Sequence, residues 1–379
     1  MSFLTRRKFL LTGTGALLAA GSYGWYAFNK KAPIGFDVDP ETVQLGRAFL
    51  NENLSIDIHA HPGRSFVEDA ENLSTKLSLY AAMGSFEEKT IAKMLAGGLS
   101  MSSFSTVADF QLLDLSDNGL KSTREFEPGE AWSSYKIQLK TLRNLLKQPL
   151  ITHILSPEDI LEARKTKKIG AFFTTEGADF LEGRIDRLDQ VYTDGFRSMT
   201  LVHYHINEIG DIQTEAPRHN GLTPFGVSVI KAMNRKGMLI DLAHAAKATS
   251  MKAMEVTEKP VMISHTAVRH PGFDSSRFIG ADEAKMVAET GGIIGAWPAG
   301  LGLATLSDYL DQIFRLVDDV GIDHVALGTD MDANYKPVFD DYELTPLLVG
   351  SLLKKGMSEQ ETAKFIGGNF MRVFKQVTS

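Results

Sequence analysis

The 379-residue chain contains no cysteine. That excludes disulfides, thiolate metal sites and a lipid-modified N-terminal cysteine, although it does not fix a compartment. Positive charge is not in excess: 47 acidic residues against 40 basic ones give a net charge of −7. No basic surface is therefore offered to nucleic acid. There is no Gly-x-Gly-x-x-Gly fingerprint, tandem repeat or low-complexity tract. What remains is an ordinary soluble composition, 43% hydrophobic and 23% charged. The length suits one large domain or two ordinary ones.

The N-terminus is different in kind. Thr5-Arg6-Arg7-Lys8-Phe9-Leu10 is a basic start with paired arginines, followed by an apolar, Gly-rich stretch from Leu10 to Phe28 and then Asn29-Lys30-Lys31. The segment resembles a twin-arginine export signal, which carries folded proteins across a bacterial membrane. No clean small-x-small cleavage site precedes Lys30. Tyr23, Trp25, Tyr26 and Phe28 sit where an interfacial aromatic belt would lie, and the length is near the ~20 residues needed to span. Residues 1–31 are therefore expected to be an export signal or an N-terminal membrane anchor. Residues 32–379 are expected to be one domain, placed in the periplasm or on the outer face of the cytoplasmic membrane.

Histidine is scarce, at ten residues, yet two stand one apart in Ser55-Ile56-Asp57-Ile58-His59-Ala60-His61-Pro62. The run alternates, so in a strand His59 and His61 share a face, and Pro62-Gly63 ends it. Further along, short apolar runs recur. Ile169–Thr175 ends at Glu176, Phe196–Val202 at His203, Met238–Ala243 at His244, Val261–Ser264 at His265 and His324–Thr329 at Asp330; Gly292–Trp297 is another. Helical patterns lie between most of them, the best being Thr223-Pro224 through Lys236, stopped by Gly237. A helix start is marked at Ser156-Pro157, and a capping box at Ser358 and Glu361. Residues 64–168 read as mostly helical and polar, with one Gly-tolerant strand at Leu95–Met101.

Strands alternating with helices predict an α/β fold with a parallel sheet. Seven or eight strands predict a (β/α)8 TIM-like barrel with helical insertions. Such a barrel gathers the C-terminal strand ends into one bowl. His59, His61, Glu176, His203, His244, His265 and Asp330 would all lie there. Histidine and carboxylate together suit zinc or a similar metal, and so many ligands fit a binuclear site bridged by a carboxylate. Each residue also has a structural reading. His244 suits a core position, His265 a helix cap, and Asp330 an Asx turn or N-cap.

Several stretches together resemble the membrane (renal) dipeptidases of the amidohydrolase superfamily. They are Thr174–Asp179, Met199–His203, Gly221–Gly226, Asn234–His244, Ile263–Thr266, Val325–Asp330 and Gly367–Phe370. The resemblance spans about residues 54–376. It implies that Glu176 bridges two zinc ions, that His59 and His61 hold the first and that His244 and His265 hold the second. Asp330 would sit against the first metal and handle protons. His203 would reach the substrate carbonyl. Arg277 would grip the terminal carboxylate of a dipeptide, with Arg269 as a weaker rival. A hydroxide shared by the metals would attack the peptide bond. A homodimer is compatible with all of this.

One departure stands out. The family usually has His-x-Asp where this chain has His59-x-His61, which raises the charge of the site by one unit. The alternatives are a hydrolase of another amide, ester or lactone on the same metals, and a metal-retaining binding protein without turnover.

Overall fold

The computed structural model describes residues 31–82, 88–116 and 119–379. Eleven strands lie among them: β1 Ile56–Asp57, β2 Met101–Val107, β3 Leu113–Ser116, β4 Gly119–Ser122, β5 Ile151–His153, β6 Ile169–Glu176, β7 Ser198–Thr200, β8 Leu239–Asp241, β9 Met262–Thr266, β10 Ile293–Ala296 and β11 Val325–Leu327. Two parallel sheets, ordered β1-β2-β6-β5 and β11-β10-β9-β8-β7, account for nine of them. β3 and β4 form an antiparallel hairpin.

Backbone hydrogen bonds join the two sheets at both seams. At one, the N–H of Arg197 donates to Phe173 O at 3.1 Å, placing β7 beside the second half of β6; β5 takes the first half of that edge. At the other, Ile58 N–H donates to Leu327 O at 2.9 Å and Asp330 N–H to His59 O at 2.8 Å. The ring is thus β1, β2, β6, β7, β8, β9, β10 and β11, a TIM-like α/β barrel. Strands buried on both faces carry it: every residue of β2, β6 and β9 is buried.

Helix boundaries follow their capping chemistry. The helix Pro224–Lys236 starts where the Thr223 side chain accepts from Gly226 N–H, and stops at Gly237, whose φ of 67° suits glycine. Reciprocal capping boxes open the helices at Ser156/Asp159 and Ser358/Glu361.

Two expectations need correction. Leu95–Met101 is not a strand: it holds the end of the helix Glu88–Ala96 and a turn, and the strand begins only at Met101. A Cβ on Gly97 would meet Tyr342 O at 2.1 Å, so that glycine serves a close backbone approach. Residues 64–168 are also less helical than their polarity suggested, since they contain β2, the hairpin and β5. β2 reads as polar, Met-Ser-Ser-Phe-Ser-Thr-Val, yet is wholly buried. Its hydroxyls are satisfied locally: Ser103 Oγ meets Thr174 Oγ1 at 2.7 Å, and Ser105 Oγ donates to Thr106 O at 3.1 Å. The export segment expected at 1–31 lies outside the described residues except for Lys31. Among the described residues no helix is long and apolar enough to cross a membrane.

Candidate metal centre

Each candidate ligand stands just after, or at the end of, a barrel strand. His59 and His61 follow β1, Glu176 ends β6, His203 follows β7, His244 follows β8, His265 is in β9 and Asp330 follows β11. Two buried carboxylates at the ends of β1 and β8 pin the backbone there. Asp57 accepts from His59 N–H at 3.3 Å, Thr329 N–H at 3.0 Å and Tyr342 OH at 2.8 Å. Asp241 accepts from Ala243 N–H at 3.0 Å, Ser264 N–H at 2.9 Å and Thr200 Oγ1 at 2.7 Å. His244 (φ 66°) and Asp330 (φ 54°) both adopt the left-handed region, which costs a non-glycine residue about 1–3 kcal/mol and recurs where geometry serves a site.

Five imidazoles converge on Glu176. Oε1 lies 2.8 Å from His244 Nε2, 3.4 Å from His265 Nε2 and 3.5 Å from His59 Nε2. Oε2 lies 3.3 Å from His61 Nε2 and 3.2 Å from His203 Nε2. Asp330 Oδ1 is 3.5 Å from His61 Nε2 and 3.9 Å from His59 Nε2. All seven residues are buried. Two triads have ligand atoms within 4.8 Å of one another: His59, His61 and Glu176, and Glu176, His244 and His265. Arg277 also enters the bowl, its NH2 group 2.8 Å from His244 Nε2 and 3.1 Å from His265 Nε2. Arg269 does not: it is exposed and pairs with Asp274 at 3.1 Å.

The electrostatics call for cations. Burial pushes His59 down, yet Glu176 and Asp330 outweigh it and raise the imidazole to about 9. Burial lowers His244 and His265 well below the ordinary histidine range, reinforced by Arg277 at His244 and by His59 at His265. Burial raises Glu176, but His203, His244 and His59 more than offset this and hold the carboxyl well below its usual value. Nε2 of His59 and of His61 are buried without a hydrogen-bond partner, and His61 Nδ1 is committed to Ser105 O at 3.2 Å. Buried imidazole Nε2 atoms gathered on both oxygens of one ionised carboxylate form a donor set that fits two divalent ions.

Sequence reasoning missed several partners. Asp109 Oδ1 sits 2.6 Å from His203 Nδ1 while its Oδ2 accepts from Tyr204 N–H at 3.0 Å. Asp109 obeys the same rule as the others, a carboxylate just past a strand end, but the strand before it is the polar β2. His205 is also buried, with Nδ1 2.6 Å from Asp179 Oδ1 and Nε2 2.8 Å from Glu125 Oε2. Against burial, those carboxylates raise it to about 9.

Known proteins agree with this picture. The model of the family described as membrane dipeptidase (peptidase family M19) matches residues 47–379. A curated relative, dipeptidase verJ of Clonostachys rogersoniana, is 28% identical over 263 residues, covering 63% of this chain and 66% of its own. The chain spans about half to two thirds of the length of the curated relatives it matches. Two solved structures share the fold. The probable dipeptidase PvdM of Pseudomonas aeruginosa aligns with a TM-score of 0.74 at 18% identity over 90% of this chain and 99% of that one. A metallopeptidase of Rhodobacter sphaeroides, liganded with a phosphinate mimic of the dipeptide L-Ala-D-Ala, aligns with a TM-score of 0.71 at 16% identity over 86% and 99%. Strand order, the two histidine–glutamate triads and a family match over most of its length lead to one conclusion: the chain belongs to the membrane dipeptidase family, peptidase family M19.

Proposed function

We propose that the protein hydrolyses the peptide bond of dipeptides and works with two divalent metal ions, zinc by preference. The observation that carries this reading is the convergence of five imidazoles on the two oxygens of one buried carboxylate, Glu176. His59 and His61, with Asp330 alongside, would hold one ion; His244 and His265 would hold the other; Glu176 would serve both. Bound there, the ions supply Lewis acidity and bring the pKa of water toward neutrality.

The chain's own residues do the rest. Asp330 is buried, which raises its carboxyl despite the opposing effect of His61; it takes a proton from the attacking water and returns it to the leaving amine. His203 donates Nδ1–H to Asp109, and against burial Asp109 and Glu176 raise the imidazole; as the imidazolium it keeps an Nε2–H to offer the carbonyl oxygen as negative charge develops there. Arg277 takes the substrate's terminal carboxylate. The chain's likeness in fold to a peptidase solved with a dipeptide mimic supports the substrate class. Export through residues 1–31, by the twin-arginine route, is part of the same proposal.

The test couples elemental analysis to a panel of dipeptides with L and D residues. Metal-replete protein that cleaves dipeptides supports the reading. Metal-replete protein that cleaves none of them, or that cleaves only esters and lactones, refutes it.

A further inference from the structure

The two carboxylates beneath the bowl, Asp57 and Asp241, repeat one pattern of contacts. Asp57 Oδ1 accepts from His59 N–H and from the N–H of Thr329, the residue before Asp330. Asp241 Oδ1 accepts from the N–H of Ala243, the residue before His244, and from the N–H of Ser264, the residue before His265. In each case the second oxygen takes a threonine hydroxyl: Thr329 Oγ1 donates to Asp57 Oδ2, and Thr200 Oγ1 to Asp241 Oδ2.

Each aspartate thus grips the backbone immediately before a residue in the left-handed region, Asp330 at φ 54° in one case and His244 at φ 66° in the other. Such conformations persist in non-glycine residues only where the surroundings over-determine them. Further bonds tighten the same places. Thr329 Oγ1 accepts from Met331 N–H at 3.0 Å, so Asp330 is held on both sides. Ser264 Oγ lies 3.0 Å from His265 Nδ1. The backbone contacts also divide. Those of Asp57 fall on or beside His59 and Asp330, which are assigned to one ion. Those of Asp241 fall beside His244 and His265, which are assigned to the other.

We propose that Asp57 and Asp241 are positioning residues, each setting the geometry of one metal site independently of the other. Asp57 shapes the site of His59, His61 and Asp330, and Asp241 the site of His244 and His265. This rests on the ligand assignment under Proposed function.

The test measures zinc content and zinc affinity of the full chain in two backgrounds, each keeping one site. His244→Ala/His265→Ala keeps the first. There Asp57→Ala is expected to weaken zinc binding about 10- to 100-fold, and Asp241→Ala to leave it unchanged. In His59→Ala/His61→Ala the expectation is reversed. Backgrounds that bind no zinc refute the ligand assignment itself. Backgrounds that bind zinc, but lose it equally with either aspartate or with neither, overturn the division proposed here. Asp57→Asn and Asp241→Asn keep one oxygen for the two backbone N–H groups and can donate to the threonine hydroxyl. They should recover most of the affinity lost with alanine. Asparagine variants as weak as the alanine ones would show that charge, not placement, is at work, and would overturn the positioning role. Should alanine at these buried positions prevent folding, Thr329→Val and Thr200→Val each remove one hydroxyl from one clamp. A smaller loss with the same division is expected; a loss shared by both sites contradicts the proposal.

Discussion

Nε2 of His244 and Nε2 of His265 stand 3.0 Å apart, both facing the same oxygen of Glu176. Without metal, one ring can donate an Nε2–H to the other and the Arg277 NH2 group lies within reach of both; a divalent ion would instead take the lone pairs of both rings together with the Glu176 oxygen. Burial disfavours protonation of either ring, and neutral rings are the form that binds a divalent ion. Removing metal should therefore destabilise the fold. Chelation is expected to lower the melting temperature, because a ligand present at a thousandfold excess over its Kd contributes about 4 kcal/mol. Calorimetry with and without chelator checks this; superimposable melts would count against metal binding at these residues.

On the proposed mechanism Asp330, 3.5 Å from His61 Nε2, carries protons beside the metals. Asp330→Asn preserves size and an oxygen donor but cannot take a proton. Metal content by elemental analysis should be retained while kcat falls about 10²- to 10⁴-fold. Undiminished turnover would remove Asp330 from the chemistry.

Asp109 should reach the chemistry through His203, while its other oxygen holds the Tyr204 N–H. Asp109→Asn is expected to reduce kcat about ten- to a hundredfold with little change in KM or metal content, because the imidazole keeps an acceptor at Nδ1 but loses the carboxylate charge that raises it. A matching loss in metal content would show instead that Asp109 maintains the bowl as a whole.

His61 stands where the resemblance to membrane dipeptidases implies an aspartate. His61→Asp lowers the positive charge of the site by one unit and restores the family pattern. Dipeptide hydrolysis should hold or rise in steady-state assays. A fall would show that the second imidazole is integral to this active site.

His205 gives the fold a pH dependence of definite sign. Its folded pKa is raised to about 9 from an unfolded value of about 6.5. Its stabilisation is then complete below about pH 6.5 and lost as pH rises through about 9. Melting temperatures of the wild type should fall across that window more than those of His205→Gln. Equal slopes would mean that Asp179 and Glu125 do not hold a charged His205.

Much of the site is legible in the sequence, and the reason is geometric. A parallel barrel turns a rule about strand ends into proximity, so His59, Glu176, His244, His265 and Asp330 could be assembled without knowing any loop. The strands from β6 onward are equally plain, because all the apolar runs named there but Gly292–Trp297 end in a polar residue. What the sequence hid lies mostly around β2. A strand built from serine and threonine looks like a polar loop, because its burial depends on hydroxyl pairs such as Ser103–Thr174 that only the neighbouring strand supplies. Missing β2 meant missing Asp109 two residues beyond it.

The most direct test counts ions. The account has one carboxylate serving two metals, so wild-type protein should retain two divalent ions per chain after dialysis. Substituting both His244 and His265 by alanine should leave one, and Glu176→Ala should weaken the hold on both. A wild-type stoichiometry of one or zero, or a Glu176→Ala variant that keeps both ions as tightly as wild type, would contradict it.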